Sequence, residues 1–198
     1  MRCIRLLLTV AVVFPGAGCI TSTYKPTRFY ALEPVVQVAA VETIPKVLGV
    51  RPLEPAQPYT KRQMVYRSED HALGFQQYDE WSELPGDTVT RALMDALAAT
   101  KRFADVGNAS DVGAPDLILT GQLRKFDEVR LGDPWAAECE IRLELREGLT
   151  RTLVWANTLS VRKPLEEKSP AGFAAAMNDA VSEMAQEAAE QIAAQFQR

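Results

Sequence analysis

Three cysteines and a single histidine are the groups in this chain best suited to covalent or metal chemistry. Cys19 is the most informative of them. It follows Gly16, Ala17 and Gly18, after an uncharged run from Leu6 to Phe14 and a start carrying Arg2 and Arg5. A charged start, a short apolar run and small residues before a cut define a secretory leader. A cysteine directly after the small residues adds one reaction. Its thiol takes a diacylglycerol, residues 1–18 are removed, and Cys19 becomes the N-terminus. The apolar run is too short to cross a bilayer, which needs about 20 apolar residues. An ordinary secreted chain would show an A-x-A cut just after the apolar run, and none stands there. In many diderm bacteria an aspartate after the cysteine retains such a chain in the inner membrane. Ile20 takes that place here, which predicts the outer membrane with the domain facing the periplasm.

The remaining candidates offer little chemistry. Cys3 leaves with the leader, so Cys139 has no intramolecular disulfide partner in the mature chain. Its neighbours place it on the buried side of a strand, where free cysteines commonly lie. His71 stands in a polar stretch without a nucleophile motif to complete a triad. There is no H-E-x-x-H or C-x-x-C zinc pattern. Gly107 and Gly113 near Asp111 form neither G-x-G-x-x-G nor a phosphate loop. The acidic pairs Asp79–Glu80 and Glu166–Glu167 read as solvated surface. No catalytic residue, metal ligand or cofactor is expected beyond the covalent lipid on Cys19, and the chain is not expected to be an enzyme. The whole chain has a net charge of −4. Losing Arg2 and Arg5 with the leader makes it −6. An acidic chain without a basic run argues against nucleic acid as a partner. It also argues against electrostatic adhesion to anionic lipid headgroups and leaves membrane attachment to the acyl chains, at about 0.8 kcal/mol per buried methylene.

The elements that carry these residues follow from periodicity. Residues 19–27 are polar, contain Pro26 and read as a tether; residues 28–198 read as one domain. Strands are expected at 28–33, 46–53, 62–67 and 73–78, the last two as a hairpin across Ser68–Ala72. A helix follows from about Pro85 to Arg102, with Val89, Leu93, Ala96, Leu97 and Thr100 on its buried side. Phe103–Val106 is a short extended piece. Residues 116–126, 138–147 and 151–162 read as three antiparallel strands. In the second, Cys139, Ile141, Leu143 and Leu145 alternate with charged residues, so one face is buried and one is wet. In the third, Leu153, Trp155, Leu159 and Val161 are expected inward. A closing helix from Pro170 to Phe196 starts at an N-capping Ser169 and carries an apolar stripe through Phe173, Met177, Val181, Met184 and Ile192. The charged outer face of the strands sends both helices to the other side. The fold class is α+β, a two-layer domain with a mainly antiparallel sheet and two amphipathic helices on one face.

Several features occur together in this order: the Cys19 leader, Tyr30 and Leu32, Val50–Arg51–Pro52, and Pro58–Tyr59. They continue through Arg62–Gln63–Met64–Val65 and Arg67 to Tyr78 and Trp81 before a helix. In this the chain resembles the ABC-type transport auxiliary lipoprotein family, over most of its mature length. The resemblance implies a non-enzymatic partner of an MCE-type lipid transport system, docking an MCE-domain protein at the outer membrane. It also implies a possible homo-oligomeric ring. Tyr59, Arg62, Arg67, Tyr78 and Trp81 are candidate partner contacts, since Arg, Tyr and Trp are favoured at interface hot spots. The same five residues have an alternative reading as braces of the sheet–helix junction. Two other functions stand beside the transport reading: a periplasmic carrier holding lipid itself, and a general envelope-assembly lipoprotein.

Overall fold

The computed structural model describes residues 24–196. Cys19, the leader and most of the tether lie outside the described residues. Nine strands form one sheet, ordered β1-β5-β4-β7-β2-β6, with β3 also on β7 and β8 joining β7 to β9. β1 is Arg28–Tyr30, β2 Ile44–Val50, β3 Glu54–Pro55, β4 Gln63–Glu69 and β5 Ala72–Trp81. β6 is Phe103–Asn108, β7 Leu117–Val129, β8 Ala136–Glu147 and β9 Leu153–Pro164. The helices are α1, Pro85–Ala99, and α2, Pro170–Ala194. α1 ends before Arg102 because Lys101 turns to a left-handed φ of 53° and Phe103 begins a strand.

β7 organises the sheet. One of its edges pairs antiparallel with β8, from Leu117↔Glu147 to Val129↔Ala136. Its other edge takes three short parallel partners in turn: β2 at Leu117–Leu119, β3 at Gln122–Leu123 and β4 at Asp127–Val129. The long pairings β7–β8 and β8–β9 are antiparallel, as is the β4–β5 hairpin. The β8–β9 turn needs Gly148. Its amide donates to the Asp116 carbonyl at 2.7 Å, and a Cβ there would collide with the Pro115 carbonyl.

A register shift at Arg124 sets what lies beyond it. Leu123 and Phe126 are three residues apart, which strict alternation would put on opposite faces. One extra residue returns both to the buried side. Both are almost wholly buried, as are Cys139, Ile141, Leu143 and Leu145 opposite them.

Both helices cover this apolar face. α2 packs on β8, β9 and α1, while α1 reaches β3 and β6. The Ser169 hydroxyl accepts from the Gly172 amide at 3.0 Å, an N-cap followed by Pro170 in the first turn. Phe173, Met177, Val181, Met184 and Ile192 are fully buried, each side chain contributing about 1.5–3 kcal/mol of transfer free energy. Residues 31–43 run beside α2 without regular structure. Glu33 and Val35 donate their amides to the side chains of Asn178 and Ser182 there. One inward expectation fails: Leu153 is 48% exposed. A register shift pairs it with Arg146, so it turns to the charged face while Trp155 stays opposite Leu145.

Candidate functional site

The end of β7 holds two consecutive acids, Asp127 and Glu128, both buried. Successive strand residues point to opposite faces. Asp127 pairs with Glu138 on the charged outer face, and Glu128 with Ala137 on the helix side. Each acid is clamped separately. A one-turn 3-10 helix, Gln57–Tyr59, carries the chain from β3 towards β4 and brings Tyr59 onto Asp127. The Tyr59 hydroxyl donates to Asp127 Oδ1 at 3.0 Å. Arg67 Nη2 lies 2.9 Å from Oδ2, off the line of a hydrogen bond, so this contact is an ion pair. Burial raises the Asp127 pKa, against the opposing pull of Arg67 and Tyr59. Burial, and then the Asp127 charge, raise that of the Tyr59 phenol.

Glu128 Oε2 accepts from Arg130 Nε at 3.0 Å and Nη2 at 2.7 Å. The Arg130 guanidinium lies 3.9 Å from the Tyr66 ring centre and 4.9 Å from that of Trp135. Tyr66 lies over Gly74 on the neighbouring strand, where any Cβ would strike its ring. Asp127, Glu128, Arg130 and Tyr66 are not among the residues singled out from sequence. Their signal was two adjacent acids continuing a strand between Lys125 and Arg130. Both carboxylates are closed off and committed to arginine. The geometry suits bracing of the β4–β7 junction and leaves no open position for a reacting group.

The five candidate contacts separate. Tyr59 and Arg67 meet on Asp127. Trp81 is buried between Phe126 and Phe173, with ring centres 5.4 and 5.3 Å away. Its indole N–H has no partner among the described residues. Tyr59 and Trp81 are both buried in the interior. Arg62 and Tyr78 stay at the surface, at the β1–β5 edge. Arg62 stands 3.8 Å from Glu80 and 5.5 Å from the Phe29 ring centre. Lys25 stands 4.7 Å from the Tyr78 ring centre.

The outer face of β7 and β8 is a ladder of ion pairs. Lys125 lies 2.8 Å from Glu138 and 3.0 Å from Glu140, whose hydrogen bonds raise its pKa. Glu144 takes Arg146 at 2.9 Å and Arg142 at 3.1 Å, and these bonds hold its pKa below the usual carboxylate range. An open groove of about 850 Å³ lies elsewhere, lined by Val41, Ile44, Pro45, Lys46, Arg102 and Phe196 among others.

His71 is exposed at the β4–β5 turn. Cys139 is a buried free thiol whose pKa burial pushes up. Among the described residues no three His, Cys, Asp or Glu side chains cluster to hold a metal ion. No described helix is long and apolar enough to cross a membrane.

Residues 30–189 match the family model of the ABC-type transport auxiliary lipoprotein component. No curated protein matches the sequence significantly. Among solved structures, a Xanthomonas campestris protein of the family DUF330 superposes with a TM-score of 0.77 at 20% identity, covering 85% of this chain and 96% of that one. An uncharacterized protein superposes with a TM-score of 0.69 at 11% identity, covering 85% and 99%. At these identities the likeness is one of fold.

Proposed function

The chain belongs to the ABC-type transport auxiliary lipoprotein family, and from that premise we propose that it is the lipid-anchored, non-catalytic partner of an MCE-type lipid transport system. In this reading it sits on the periplasmic side of the outer membrane and docks an MCE-domain protein that bridges the periplasm. Energy for transport comes from the partner ATPase. The observation that carries the proposal is the family match at residues 30–189, downstream of a leader ending in Gly-Ala-Gly-Cys with Ile20 after the cysteine.

The location half of the proposal is tested by Cys19→Ser. This variant should lose acylation and be released or mislocalised. Unchanged membrane fractionation would remove the anchor from the account. A second reading, lipid carriage by the domain itself, draws on the groove beside Ile44 and Phe196. Native mass spectrometry of the purified protein tests it, and a lipid-free mass would count against it.

A further inference from the structure

At the β1–β5 edge, exposed aromatic rings are paired with cations close to where the chain leads back to Cys19. Tyr24 is 85% exposed and Phe29 57%. Lys25 lies over Tyr78 and the Arg62 guanidinium over Phe29. The parallel register sets Phe29 beside Glu80, two residues from Tyr78, so these side chains form one continuous patch. Lys25 and Arg62 stand with Glu80, 3.8 Å from Arg62, a local excess of one cation on a mature chain of net −6.

This composition fits a phospholipid headgroup layer. Tyrosine rings favour the boundary between apolar and polar regions, and Lys and Arg heads reach outward to phosphate while their stems lie on apolar surface. The position fits as well. Tyr24 is five residues from Cys19, so at most about 18 Å of extended chain separates the acylated cysteine from the patch. Building on the Cys19 anchor proposed above, we infer that the Lys25–Phe29–Arg62–Tyr78 edge lies on the bilayer, with anionic phospholipid headgroups as its ligand. Acyl chains alone leave the domain free to swivel. The patch supplies a second contact that fixes orientation. It turns the β8–β9 hairpin, whose Leu149 is 95% exposed, away from the membrane. That turn lies roughly 25 Å from the patch along β7 alone, at about 3.3 Å per residue.

Thr27 is exposed between Lys25 and Phe29 and takes a probe without removing any patch side chain. Thr27→Cys and, as the distant control, Leu149→Cys are labelled with a fluorophore; buried Cys139 stays unlabelled. The acylated protein is reconstituted in vesicles of phosphatidylethanolamine and phosphatidylglycerol bearing a headgroup nitroxide. Quenching should be several-fold stronger at position 27 than at position 149. It should fall to the position-149 level when Lys25→Glu and Arg62→Glu are combined. Equal quenching at both positions, in protein that floats with the vesicles, overturns the inference. Protein that does not float overturns the anchor reading and this inference with it. Protection of position 27 that requires an added transport protein also overturns it, by making the edge a protein-contact face.

Discussion

Replacing Arg67 with leucine isolates what the buried cluster contributes. The substitution leaves the Asp127 carboxylate fully buried with the Tyr59 hydroxyl, 3.0 Å away, and the weaker field of Lys125 to compensate it. Removing one partner of a buried ion pair costs about 3–5 kcal/mol. The Arg67 side chain is 23% exposed, so water partly replaces it and the expected loss is about 2–4 kcal/mol. That is a large share of the roughly 5–15 kcal/mol that holds an ordinary domain together. The pH dependence gives the sharper signature. Burial already holds the Asp127 pKa above its ordinary 3.8. A carboxyl group raised in the fold binds its proton more tightly there than in the unfolded chain. Its ionisation therefore opposes folding above the folded pKa, and this penalty disappears below 3.8. Arg67→Leu raises the folded pKa further, so the loss should be full at neutral pH and clearly smaller at about pH 4.5, near the ordinary carboxylate range. Urea unfolding in the Cys19→Ser background, followed by tryptophan fluorescence, measures both. Adding Asp127→Asn removes the stranded charge while keeping an acceptor for Tyr59, and should recover at least half of the neutral-pH loss. An equal loss at both pH values, or a double variant no more stable than Arg67→Leu, would show that the stranded Asp127 charge is not what destabilises the variant.

Two further outcomes follow from the core. Trp81→Ala should cost about 3–5 kcal/mol, as large aromatic truncations do. Trp81→Phe should cost under about 2 kcal/mol, because it keeps a ring against Phe126 and Phe173 and removes a buried N–H that has no partner among the described residues; chemical denaturation that ranks the two equally would contradict this. In protein expressed without residues 1–19, Cys139 is the remaining thiol. It should react with a thiol reagent only as the protein unfolds, and native-state labelling at the rate of an open thiol would show that the β7–β9 face is not closed.

The back half of the domain was legible because its pattern is local. Alternation in β8 and the apolar stripe of α2 each require one buried face, and the structure places Cys139 and Phe173 there. The parallel partners of β7 were not legible. β2, β3 and β4 join it across long separations, and nothing in their own residues specifies the neighbour. The strand expected to stop at Phe126 runs on to Val129, because Tyr59, Arg67 and Arg130 compensate acids that look solvated in sequence. The same distant contacts separate the five candidate residues, drawing Tyr59 and Trp81 inside and leaving Arg62 and Tyr78 at an edge. Leu153 was misplaced by one bulge, which alternation alone does not reveal.

The docking claim is tested most directly by affinity purification of the acylated protein from native membranes, solubilised in mild detergent, with mass spectrometry of what accompanies it. An MCE-domain protein should come with it, together with its permease and ATPase, all lost with Cys19→Ser when the complex is captured from intact envelopes. Recovery of the lipoprotein without any of the three, from membranes in which they are present, would contradict it.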